Sequence, residues 1–82
     1  MYYVYLLQCN DDSIYTGITN NLESRLKRHK EGSGSRYTRA RGAEKILYTE
    51  EHPNKGAALK REAEIKSWTR QKKLDLIQFG RP

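Results

Sequence analysis

The sequence predicts an α/β domain of the α+β kind: a small three-stranded, largely antiparallel sheet with helices packed on it, in the order β-β-α-β-α-α. Three observations predict it. Residues 2–8, Tyr-Tyr-Val-Tyr-Leu-Leu-Gln, are aromatic or aliphatic on both alternating faces, and a strand apolar on both faces belongs in the middle of a sheet. The turn cluster Asn10-Asp11-Asp12-Ser13 leads into a second β-prone stretch, Ile14–Thr19, as in a hairpin. Helical patterning then dominates the second half, from Lys55 onward.

The elements follow in order. Asn20-Asn21-Leu22-Glu23 offers a capping residue with glutamate three positions on, a helix start. The helix runs to Lys30 or Glu31, with Leu22 and Leu26 as its core-facing stripe, and stops at the flexible connector Gly32-Ser33-Gly34-Ser35. Residues 36–43 are basic and poorly periodic, with a short helical turn over Ser35–Arg39. Glu44–Glu51 reads as a third strand whose charged ends suit a sheet edge. His52-Pro53-Asn54 breaks it and caps a helix over Lys55–Trp68. A shorter helix, Gln71–Phe79, ends at Gly80. No internal repeat, low-complexity tract or interdomain linker interrupts the chain.

Eighty-two residues fit one domain over 1–82 with one modest core. A single cysteine, Cys9, rules out an internal disulfide and a structural zinc site. It reads as a small buried hydrophobe in a chain of the reducing cytoplasm. The Tyr2–Leu7 run is shorter than a signal peptide's apolar region and has no basic flank, so export is not expected. No segment approaches the roughly 20 apolar residues of a membrane span.

The net charge is +6, and its position along the chain is informative. Between Arg25 and Arg41 lie seven basic residues and one acid, Glu31; the remainder carries nine of each sign and is neutral. A concentrated basic patch is the footprint of a polyanion partner, because each neutralised phosphate releases counterions. Arg28, Arg36, Arg39 and Arg41 are the candidate phosphate contacts, and Tyr37 among them offers a stacking surface for a base.

A hairpin pairing residue 5 with 17 and 7 with 15 would set Tyr5 and Tyr15 on one sheet face; a register one residue away would separate them. In the first case Gly17, opposite Tyr5, leaves room for a substrate backbone. Arg25 and His29, spaced i and i+4, project from one side of the first helix. The guanidinium suits a phosphate, and the imidazole can relay a proton or bond a phosphate oxygen. Glu62 falls with Ala58, Leu59 and Ile65 on the apolar arc of its helix, whereas Glu64 points away with Lys60. A carboxylate there needs a compensating cation. A divalent metal or an arginine such as Arg25 would serve.

Tyr3-Val4-Tyr5, Tyr15-Thr16-Gly17, Arg25, His29 and the stretch Ala58-Leu59-Lys60-Arg61-Glu62 together resemble the GIY-YIG nuclease superfamily over nearly the whole chain. Small bacterial proteins of this kind are similar also in Arg36-Tyr37-Thr38-Arg39 and in the helix from Glu62 to Trp68. The resemblance implies an endonuclease dependent on Mg2+ or Mn2+, like the superfamily's homing, restriction, repair and junction-resolving enzymes. It implies catalytic roles for Tyr5, Tyr15, Arg25, His29 and Glu62, with Glu62 the single metal ligand, and leaves the general base open between the two tyrosines. Tyr3 stands where the family has glycine, narrowing the substrate approach; Val4 and Thr16 stand where it has isoleucine.

The expected partner is DNA, with RNA also open, and no membrane. The chain is expected to act as a monomer in the cytoplasm, in repair or recombination. No recognition domain is attached, so sequence specificity would come from a separate protein partner. Two other readings compete: a non-catalytic nucleic-acid-binding module on the same scaffold, and an adaptor for acidic protein surfaces.

Overall fold

The computed structural model describes residues 1–80. Three strands, β1 (Tyr2–Cys9), β2 (Ile14–Thr19) and β3 (Ala43–His52), form an antiparallel sheet in the order β2-β1-β3. β1 is central, as its two apolar faces require. The helices are α1 (Leu22–Lys30), α2 (Arg36–Arg41), α3 (Lys55–Lys66) and α4 (Arg70–Phe79). Among the described residues, no helix is long and apolar enough to cross a membrane.

Local chemistry sets the boundaries. In the β1–β2 turn Asp12 adopts φ 67°, a conformation aspartate tolerates, while Asp11 Oδ1 accepts from the Ser13 amide at 3.1 Å. Asn21, Ser35, Asn54 and Thr69 each cap a helix by accepting from a backbone N–H three residues on. α4 therefore begins at Arg70, and Gly80 closes it in the left-handed region at φ 75°. α3 stops at Lys66, before Trp68. The Ser35 cap also makes Arg36–Arg41 a helix of six residues where only a turn was expected, so the order is β-β-α-α-β-α-α.

The two faces of β1 bury different chemistry. Val4 and Leu6 lie with Ala58, Ile65 and Leu76 in an apolar core, so α3 and α4 cover that side. Leu59, placed on the same arc by helical counting, is instead 45% exposed. Tyr5, Leu7 and Cys9 point the other way and are buried as well. There α1 and α2 supply the cover. Their buried residues are polar: His29 on α1 and Thr38 on α2. Leu22 and Leu26, expected to form the core stripe of α1, are only half-buried. The sheet presents a phenol beneath α1, and a buried hydroxyl needs a hydrogen-bonding partner more than another aliphatic chain.

Candidate active site

The hairpin register pairs Tyr5 with Gly17 and Leu7 with Tyr15. Both tyrosines thus share a face, with ring centroids 6.2 Å apart. The space above Gly17 is filled by the Tyr5 ring rather than left for a substrate: a Cβ on Gly17 would lie 2.5 Å from Tyr5 Oη and 2.9 Å from Tyr15 Cε2. Glycine is what lets the phenol lie flat across β2.

His29 completes the cluster. Its Nε2 is 2.8 Å from Tyr5 Oη, its Nδ1 is 2.7 Å from Thr38 Oγ1, and its ring lies 5.4 Å from that of Tyr15. Thr38 Oγ1 in turn reaches the Ser35 carbonyl at 3.4 Å. Ser35 Oγ lies 3.0 Å from the same Thr38 oxygen; in the tautomer with the proton on Nδ1, Thr38 accepts from Nδ1–H and Nε2 accepts the Tyr5 proton. The chain Tyr5, His29, Thr38, Ser35 then runs in one direction. Burial, and then the charge of Arg25, hold the imidazole pKa below its ordinary value. Burial, then Tyr15, push the Tyr5 phenol upward, while Arg25 opposes the rise and Glu62 adds to it. At neutral pH the pair is an uncharged phenol and an uncharged imidazole.

The connector is not slack. Gly34 packs on the imidazole so closely that a Cβ would collide with Nδ1. The Gly32 and Ser33 amides donate to the carbonyls of His29 and Arg28. Neither Gly34 nor Thr38 was singled out from the sequence. Both matter only through a ring five and nine positions before them, and local patterning carries no signal of that.

Arg25, half-buried one turn before His29, lies close enough to influence both Tyr5 and His29. It has no carboxylate within ion-pair distance among the described residues. Glu62 also influences Tyr5. Its partner is not Arg25 but Lys66, at 3.4 Å, and its side chain is 17% exposed. Lys66 Nζ in turn lies 5.9 Å from the Tyr15 ring centroid. All five candidate catalytic residues are thus gathered around the β1–β2 hairpin.

Glu62 accepts no hydrogen bond from the described residues; Oε2 faces the Lys66 ammonium, and Oε1 has no ion-pair partner among them. Those residues contain no group of three or more His, Cys, Asp or Glu side chains that could enclose a metal. One carboxylate fits a hard cation that keeps most of its ligands as water and phosphate oxygens, as Mg2+ and Mn2+ do. It does not fit a closed nitrogen–sulfur cage.

Among the basic residues, Arg28, Arg36 and Arg39 are exposed and have no ion pair among the described residues. Arg41 is committed: it pairs with Asp11 at 3.1 Å and sits 4.1 Å over the Tyr37 ring. Tyr37 is half-buried, 5.7 Å from Tyr15, with one face already taken by that guanidinium. α2 therefore brings the basic patch against the tyrosines. A hollow of about 670 Å³ along α1, lined by residues between Asn21 and Glu31, shares none of these residues.

A hairpin carrying two tyrosines, with an arginine and histidine on the next helix and a glutamate on a later one, is the arrangement of a nuclease catalytic domain. Residues 1–75 match the GIY-YIG catalytic domain, and the chain belongs to that nuclease family. It is similar to small UPF0213 proteins. One from Clostridium perfringens is 54% identical over 77 residues, 94% of this chain and 83% of that protein. Another, from Oceanobacillus iheyensis, is 50% identical over 78 residues, 95% of this chain and 91% of that one. The solution NMR structure of a UPF0213 protein from Bacillus halodurans shares the fold with a TM-score of 0.59 and 42% identity. That likeness covers 94% of this chain and 83% of the other.

Proposed function

We propose that the chain is a single-domain endonuclease that hydrolyses phosphodiester bonds in DNA with the help of Mg2+ or Mn2+ held on Glu62. The observation that carries the reading is the 2.8 Å contact between Tyr5 Oη and His29 Nε2, which gives a phenol a ready acceptor for its own proton. Tyr5 takes a proton from the attacking water as its own passes to Nε2, and the imidazolium is held through Nδ1 by Thr38. Arg25, with no carboxylate within ion-pair distance among the described residues, stabilises charge on the scissile phosphate. Tyr15, more open than Tyr5, lines the approach. A divalent cation on Glu62 would polarise the phosphate and draw off the charge that develops there.

Arg28, Arg36 and Arg39 supply backbone contacts that carry no sequence information. The substrate is therefore read by shape, with nicked, flapped or branched DNA favoured and repair or recombination the setting. A monomer working in the cytoplasm, with a partner protein adding specificity, fits this reading. One observation favours a second reading, a binding module without chemistry. Tyr5 and His29 are each only 1% exposed, as a purely structural polar pair would be.

Cleavage of labelled nicked, flapped and branched DNA with Mg2+ or Mn2+, alongside RNA versions of the same shapes, separates the two. The enzyme reading expects cleavage that Glu62→Ala abolishes with binding retained. Binding without cleavage on every substrate and metal would establish the module.

A further inference from the structure

Along the sequence, the charge excess lies between Arg25 and Arg41. In the folded chain it is shared differently. Two acids of the neutral remainder, Glu50 and Glu64, are both held by Arg61, Glu50 at 2.8 Å, and Glu50 is further bonded by His52 and Tyr48. One guanidinium thus draws both carboxylates to the β3 side, away from the hairpin. On the hairpin side lie Arg70 and Lys73, beside a Lys66 that is paired with Glu62. Arg70 Nη1 donates to the Asp12 carbonyl at 2.7 Å, which fixes the guanidinium at the β1–β2 turn. Neither Arg70 nor Lys73 has a carboxylate within ion-pair distance among the described residues.

These two side chains, with Ser13, Ile14 and Tyr37, line a cleft of about 210 Å³ between the turn and the start of α4. That volume is below the roughly 300 Å³ at which small-molecule pockets begin, but it is open and basic. Lys73 is held below the usual lysine pKa by burial and by repulsion from Lys66, so a counter-charge in the cleft would relieve an existing conflict. Tyr37 joins the two places: its ring walls the cleft and lies 5.7 Å from that of Tyr15.

We infer that the Tyr37–Arg70–Lys73 cleft is a second phosphate-binding site, taking a backbone phosphate of the same nucleic-acid strand whose scissile bond lies at Tyr5 and Tyr15. The inference rests on the nuclease reading for its ligand, but its test does not use cleavage. Binding of fluorescein-labelled branched DNA is measured in EDTA over about 50–200 mM salt. Arg70→Gln with Lys73→Gln should weaken binding tenfold or more and reduce the salt slope by about 1–2. Lys55→Gln with Lys60→Gln, the same loss of charge on exposed positions earlier in α3, is the comparison. Arg70→Lys with Lys73→Arg should restore most of the affinity. Equal behaviour of the two Gln pairs overturns the second site and leaves the nuclease reading standing. A wild-type protein that binds no nucleic acid overturns both. If the Gln pair unfolds, titration of wild type with inorganic phosphate decides: amide shifts at Tyr37, Arg70 and Lys73 support the site, and their absence sinks it.

Discussion

Tyr5 and His29, 24 positions apart, share a buried hydrogen bond of 2.8 Å between a central strand and the helix that covers it. This contact both docks α1 and supplies the candidate proton acceptor. Tyr5→Phe should remove the acceptor while keeping the ring. Cleavage should fall by about 10²–10⁴-fold, with a stability loss of about 1 kcal/mol. Single-turnover rates on flapped DNA, set beside urea unfolding, check both. Cleavage at the wild-type rate by Tyr5→Phe would move the base to Tyr15.

Gly17→Ala and Gly34→Ala test the packing on either side of the pair. Each Cβ would run into a ring held in a buried position, Tyr5 in one case and His29 in the other. Overpacking of this kind costs about 1–3 kcal/mol. Both variants should lose midpoint in urea with little change in slope. Unchanged midpoints would show that the rings move aside freely.

Thr16→Val should act in the opposite direction. Thr16 Oγ1 is buried without a hydrogen-bond partner, on the face of β2 that meets the apolar core. Exchanging it for a methyl removes an unsatisfied group worth about 1–3 kcal/mol. A higher melting temperature is expected, and a lower one would mean that the hydroxyl has a partner in solution.

Acid should weaken the fold earlier than carboxylate protonation alone would. The pKa of folded His29 lies below its ordinary value near 6.5, so below that pH the unfolded chain binds more protons than the folded one. Stability is complete above about pH 6.5 and declines as pH falls toward the folded pKa. Glu50, also lowered in the fold, adds a loss only at lower pH, below the ordinary carboxylate value. His29→Gln should be less stable than wild type at pH 7.5, with a flatter profile between about pH 6.5 and 5. Parallel profiles would remove His29 from the account.

Much of this was legible in the sequence because the features concerned are local or periodic. The central position of β1 follows from apolar residues on both faces of Tyr2–Leu7, and the hairpin follows from Asn10–Ser13. What patterning misplaced was the cover over Tyr5. Helical counting gave α1 a leucine stripe, whereas the buried phenol selects His29. Summing charge along the chain likewise hid Arg70 and Lys73, since it cannot know that Arg61 draws Glu50 and Glu64 to the β3 side. The side chain of Glu62 was placed correctly on the inner half of its helix. Its partner was not, because Lys66 one turn later competes with any arginine from α1.

Because α1 and α2 bury only His29 and Thr38 completely, they are fastened to the sheet by polar contacts, while α3 and α4 hold the opposite face with hydrocarbon. The molecule is thus divided into a durable half and a detachable one. Protonating a single imidazole opposes attachment of the detachable half without touching the apolar core. Hydrogen exchange should report it as early opening of amides in residues 22–41 in mild acid, while β1 stays protected. A site assembled this way loses its working parts before the molecule loses its shape.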